Sequence, residues 1–131
     1  MSTYLLAAVI SQFDFTEGKK EESQVQFRIW SRKSVKKQTA LAAKIGPKIL
    51  AFYGKLFKTP FPLPKLDMIA VPDFLTGAME NWGLITYREI FLLQKPGESS
   101  VANHERVHVV IAHELSHQWF GNLVTMKWWN E

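Results

Sequence analysis

Between Val25 and Trp30 the chain alternates, with Val25, Phe27 and Ile29 set against Gln26, Arg28 and Trp30. A period of two predicts a strand with one buried face. The stretch Tyr4 to Phe15 is apolar and then mixed. The two are separated by the polar tract Glu17-Gly18-Lys19-Lys20-Glu21-Glu22-Ser23, so the start of the chain reads as two antiparallel strands with a charged connection. Two strands alone are marginal in water. They are therefore expected to belong to a larger sheet that the chain does not itself contain.

From about Ser34 the period lengthens. Leu41, Ile45, Ile49, Phe52, Tyr53 and Leu56 recur at three and four, with Lys44, Lys48 and Lys55 between them, which predicts an amphipathic helix with a solvated lysine face. Gly46-Pro47 should kink or split it, because proline removes a helical hydrogen bond. Thr59 to Pro64 carries three prolines at alternate positions and reads as a rigid extended connector. Leu66 to Val71 predicts a short buried strand. Gly83 to Leu93 predicts a longer one, with Leu84, Thr86, Arg88 and Ile90 on one side, until Lys95-Pro96-Gly97 breaks it. Ser99 or Ser100 can cap a last helix reaching about Gly121. That helix is apolar nearly all round from Val107 and so should be buried. The order of strands and helices, without repeats, gives an α+β class.

Composition narrows the field. A hydrophobic content of 47% and a charged content of 21% describe a folded globular chain. The net charge of +4 and pI near 9.4 would suit nucleic acid, but the Lys and Arg residues are spread along the chain, which favours a solvated basic surface. There is no cysteine, so disulfides and thiolate metal sites are excluded within it. The opening MSTYLLAAVISQF lacks a basic leader and is too short to span a bilayer, so neither signal peptide nor membrane anchor is expected there.

The candidate chemistry lies in the last helix. His113-Glu114-Leu115-Ser116-His117 spells HExxH, a zinc metallopeptidase pattern. Residues four apart stack on one helix face, so His113 and His117 can offer imidazoles to a single Zn2+ ion. Glu114 is then placed to take a proton from water. His104 and His108 are also four apart. They point roughly opposite to the first pair and read as solvated or packing residues.

A second constellation, Gly77-Ala78-Met79-Glu80-Asn81, precedes WGLITYRE. GAMEN ahead of HELSHQWFGNLVTMKWW, with FPLPK, LDMIAVPDF and LITYRE, closely resembles the gluzincin aminopeptidases of the aminopeptidase N group over nearly the whole chain. The resemblance implies hydrolysis of the first peptide bond of peptides with a free amino terminus, Zn2+ as cofactor, and Glu114 as the catalytic base and acid. It assigns amino-terminus recognition to Glu80. Gly77 and Ala78 would admit the peptide backbone, Met79 would face the first side-chain pocket, and Asn81 completes the substrate-binding motif. A free amino terminus is largely cationic at neutral pH, which suits a fixed carboxylate.

In the family a third zinc ligand follows the second His after eighteen residues. Counted from His117 it falls at position 136, past Glu131, and the tyrosine that stabilises the tetrahedral intermediate lies further on. Glu131 is not that ligand. The chain therefore reads as a partial sequence, with Met1 standing for an internal residue of longer relatives. Residues 1–33 would be the end of a β-rich N-terminal domain, and residues 34–131 the first part of a thermolysin-like zinc peptidase domain. By itself it is expected to be inactive. The alternative from another class is a non-catalytic peptide- or metal-binding module. The family holds both membrane ectoenzymes and cytosolic forms, of which the ectoenzymes look closer. Its residue preference depends on pockets largely outside this segment.

Overall fold

The computed structural model describes residues 1–19 and 25–128. Residues 20–23 of the expected charged connection, and Glu131, lie outside them. Five strands form one mixed sheet: β1 (Asp14–Glu17), β2 (Gln26–Ser31), β3 (Lys65–Val71), β4 (Ala78–Met79) and β5 (Leu84–Arg88), in the order β1-β2-β3-β5-β4. The pairs β1/β2 and β4/β5 are antiparallel, and β2/β3 and β3/β5 are parallel. With helices α1 (Ala40–Leu56), α2 (Glu89–Leu92) and α3 (Val101–His117) the architecture is α+β. The expectation that the first two strands need a sheet from elsewhere is corrected. Phe27 pairs with Leu66 and Ile29 with Met68, so β2 finds its neighbour within the chain, across the expected boundary at residue 33.

The helices cover one face. Phe27, Ile29, Leu66, Met68, Ala70, Ile85 and Tyr87 point into a core with Ala42, Leu50, Val107, Ile111 and Leu115. Each large side chain buried there contributes about 1.5–3 kcal/mol. On the opposite face Asp67 is buried beneath Arg28, Trp30 and Lys65. Arg28 Nε and Nη2 donate to its two oxygens at 2.6 and 2.8 Å, Trp30 Nε1 donates at 2.9 Å, and Lys65 Nζ lies at 2.8 Å. Burial alone would raise its pKa, but these donors outweigh it and hold the carboxyl below its ordinary value.

The first helix differs from its expected form. Residues Lys33–Thr39 form 3-10 turns, and α1 then runs through Pro47 without a break. Its buried residues are Ala42, Ala43, Gly46, Pro47 and Leu50, whereas Phe52 and Leu56 are exposed. Small side chains let the helix lie close on the sheet. A Cβ at Gly46 would stand 2.5 Å from Phe27 Cζ, so the Phe27 ring occupies the space a larger residue would need. Proline costs only one hydrogen bond here, and the packing of its buried ring offsets it.

Two further boundaries move. β5 stops at Arg88 rather than Leu93, because the ladder with β3 ends at the Val71–Arg88 pair. Without a partner strand the chain closes a helical turn, in which Leu93 N donates to the Glu89 carbonyl at 2.8 Å. The last helix starts after Ser100, whose hydroxyl accepts from Asn103 N at 3.1 Å, and ends at His117 instead of Gly121. It is buried on one side only, through Val107, Ile111, Glu114 and Leu115, while Val109 is 66% exposed.

Candidate active site

Helix α3 sets His113 and His117 one turn apart on its exposed side. Their rings are nearly perpendicular at 85°, with centroids 4.6 Å apart, and the two Nε2 atoms approach to 3.0 Å. Two nitrogen ligands on a tetrahedral zinc at about 2.0–2.1 Å would stand about 3.3 Å apart. The pair therefore fits one ion with an adjustment of a few tenths of an ångström. His117 is oriented from behind, with its Nδ1 3.0 Å from the Phe120 carbonyl oxygen. An N–H at Nδ1 donates to that carbonyl and leaves Nε2 with a free lone pair, an arrangement usual around metal-ligating imidazoles. The backbone makes this possible at Gly121. Its φ of +109° suits glycine, while a Cβ there would make only ordinary contact with His117 Nδ1 at 3.6 Å. The chain then reverses through the Phe120–Val124 bridge, with Gly121 N donating to the Val124 carbonyl at 2.8 Å.

Glu114, between them in sequence, is enclosed by the protein and only 5% exposed. Its Oε2 is buried without a hydrogen-bond partner among the described residues. Burial raises its pKa to about 7, with a further upward push from the charge of Glu80 and an opposing one from His117. A carboxyl left with an unused oxygen and a pKa near neutrality suits proton transfer. Tyr87, fully buried on β5, also has an unpartnered hydroxyl among the described residues. Its pKa is raised by burial and then by the nearby Glu114.

The GAMEN residues form the outer edge of the sheet. The Gly77 carbonyl accepts from Arg88 N at 2.9 Å, and Ala78 and Met79 are β4 itself, paired with Tyr87 and Thr86. The other side of β4 has no strand neighbour among the described residues. Next, the Glu80 carbonyl accepts from Asn122 Nδ2 at 2.8 Å and Gln118 Nε2 at 3.2 Å. Asn81 is buried, and its Oδ1 accepts from the Thr86 hydroxyl at 3.2 Å.

Gln118 and Asn122 are the residues that sequence reasoning missed. Gln118 is fully buried, and its Oε1 also accepts from Gly83 N at 3.1 Å. One amide thus joins the end of the HExxH helix to both ends of the turn after β4. A signal was available. Gln118 lies four residues after Glu114 and so shares its buried side of the helix.

The histidines set aside as solvated are half-buried to exposed. Glu105 directly follows His104, so residues 104–108 spell His-Glu-x-x-His a second time, a match that sequence reasoning missed. The environments separate the two copies: Glu105 is exposed to solvent, whereas Glu114 is enclosed.

Residues 41–131 match the peptidase family M1 domain, and the chain belongs to that family. Within it the chain is similar to aminopeptidases along its whole length. It is 54% identical to aminopeptidase N of Haemonchus contortus over 99% of this chain. Identity is also 54% to aminopeptidase Ey of Gallus gallus over 100% of it, and 51% to aminopeptidase M1-D of Oryza sativa subsp. japonica over 98%. The chain spans 13–15% of the length of these relatives. No helix among the described residues is long and apolar enough to cross a membrane.

Proposed function

We propose that this chain carries the zinc-holding histidines, the proton-transferring carboxyl and the amino-terminus recognition strand of an M1 aminopeptidase. The observation that supports it most is the convergence of the His113 and His117 Nε2 atoms on the helix whose enclosed Glu114 feels the charge of His117 and has an oxygen with no partner among the described residues. The start of the match near residue 41 supports a peptidase domain occupying residues 34–131. Because β1 and β2 share its sheet, residues 1–33 would join the two parts of the longer protein rather than stand apart.

When bound, zinc supplies Lewis-acid polarisation of the scissile carbonyl and makes a nearby water more acidic. The chain's own groups do the rest. His113 and His117 would hold the ion through Nε2, and the Phe120 carbonyl fixes the His117 ring. Glu114 accepts a proton from water at its free Oε2 and returns it to the leaving amine. The Glu80 carboxylate receives the substrate's ammonium group, placing the first peptide bond within reach. The open edge of β4 offers Ala78 and Met79 backbone groups to an extended peptide, as in strand addition. The product is one amino acid and a shortened peptide.

No group of three potential ligands stands together among the described residues, and catalytic zinc normally takes three. By the family resemblance the third is expected past residue 131. The test compares the 131-residue chain with one extended through that ligand and the following tyrosine, measuring zinc content and hydrolysis of an aminoacyl chromogenic amide. Near-stoichiometric zinc retained through dialysis, and activity, are expected in the extended form alone, with that retained zinc lost in His113→Ala and activity lost in Glu114→Gln. An extended form that binds peptide amino termini without cleaving them would establish the binding-module alternative instead.

A further inference from the structure

We propose that His104 and His108 form a second, two-imidazole site for a divalent transition-metal ion of the zinc, nickel or copper class. The two residues are four apart on α3, and their rings already lie side by side with centroids 4.5 Å apart and a 43° tilt. That separation matches the 4.6 Å of His113 and His117. His108 Nδ1 is 2.8 Å from the His104 carbonyl oxygen. An N–H there donates to the carbonyl, fixes the tautomer and leaves His108 Nε2 unprotonated, which is the state a metal needs. His104 is exposed and His108 half-buried, so an ion can reach them from solvent without opening the fold.

The second site is separate from the first. Nine residues advance a helix by about two and a half turns, which puts the pairs on opposite faces and about 13 Å apart along the axis. One ion cannot serve both. With no third His, Cys, Asp or Glu grouped nearby among the described residues, water would complete the shell. Imidazole donors select zinc, nickel and copper over magnesium or calcium, and copper should bind tightest of these divalent ions. The ion would clamp the two turns at the start of α3, the helix whose end carries His113, Glu114 and His117. Glu105, displaced about 100° from His104 on the helix, needs no part in it.

The proposal does not depend on zinc at His113 and His117, and its test removes that pair. Zn2+ is titrated calorimetrically into the 131-residue chain carrying His113→Ala and His117→Ala, both outside the core. One equivalent of zinc should still bind, reversibly and more weakly than at a three-ligand site, so that it is seen in the titration and lost on dialysis. Adding His104→Ala or His108→Ala should each weaken binding by at least about tenfold, since removing a ligand should cost no less than losing an outer-shell partner does. If the double variant binds zinc no better than the chain lacking all four histidines, the proposal is overturned. A second measurement uses the unaltered chain with two equivalents of Cu2+, read by NMR. Paramagnetic broadening of the His104 and His108 imidazole signals supports the site, and broadening confined to His113 and His117 overturns it.

Discussion

Asn122 donates its side-chain amide to the carbonyl oxygen of Glu80 at 2.8 Å, across 42 residues of sequence. With Gln118 as a second donor to the same oxygen, the edge strand and the HExxH helix are held by side chains reaching from just beyond the helix end. The backbone of Glu80 is thereby set relative to Glu114, while its side chain is left out of these bonds.

Gln118→Ala should therefore loosen the turn between β4 and β5. It leaves the buried Gly83 N–H without its acceptor and removes one donor from Glu80, at a cost of about 1–3 kcal/mol. Urea unfolding measures that loss. Hydrogen exchange at the Gly83 amide should accelerate more than exchange within α1, and equal protection in both proteins would show that the amide does not hold the turn.

Gly46→Ala has two opposed effects. Alanine gains up to about 1 kcal/mol of helix propensity over glycine. The added Cβ would lie 2.5 Å from Phe27 Cζ, and overpacking of this kind costs about 1–3 kcal/mol. The net expectation is a less stable protein with a lower thermal midpoint. Phe27→Leu should shrink the destabilisation that Gly46→Ala causes, which a double-mutant cycle on the two positions would read.

Asp67 gives a pH dependence with a definite sign. Its burial raises the pKa, but the bonds from Arg28, Lys65 and Trp30 prevail and its folded value is lowered. The stabilisation is complete above the unfolded carboxyl's pKa and is lost as pH falls through the folded value. Asp67→Ala should cost about 3 kcal/mol at neutral pH, the low end for a buried pair because Arg28 and Lys65 reach solvent. The gap between the two proteins should narrow in acid, as followed by urea unfolding at several pH values. A gap that stays constant down to acid pH would deny the ion pairing.

Glu114→Gln should leave the fold intact, since an amide replaces a carboxyl of the same shape at a site whose Oε2 has no partner among the described residues. Far-UV circular dichroism and urea unfolding should change little. Zinc retention in the extended form should also persist, in contrast to His113→Ala. Loss of zinc in both variants would assign Glu114 to the ligand shell instead of to proton transfer.

Much of the fold was legible because local patterns and tertiary contacts agree. The alternation around Phe27 and Ile29 gave β2, the apolar run at Leu66 to Val71 gave β3, and Ser100 capped α3. Departures came where contact between distant segments decides. The large apolar residues of α1 suggested a buried face including Phe52 and Leu56, yet the sheet takes the small-residue side, where Gly46 admits the Phe27 ring. β5 ends where β3 stops pairing, a limit that no local pattern around Ile90 records. The first two strands found their sheet through parallel pairing across the whole of α1.

At the candidate site the sequence by itself determined which residues share a helix face, because a four-residue spacing on an α-helix leaves no freedom. It therefore set the pairing of His113 with His117, and equally that of His104 with His108. It also spelled His-Glu-x-x-His at both places. Only the tertiary structure decided that Glu114 is enclosed, with an oxygen unused among the described residues, while Glu105 is exposed, because burial depends on what packs against each side of the helix. The sheet lies on one side of α3 and solvent on the other, and that contact brings Glu80, just after β4, to Gln118 and Asn122.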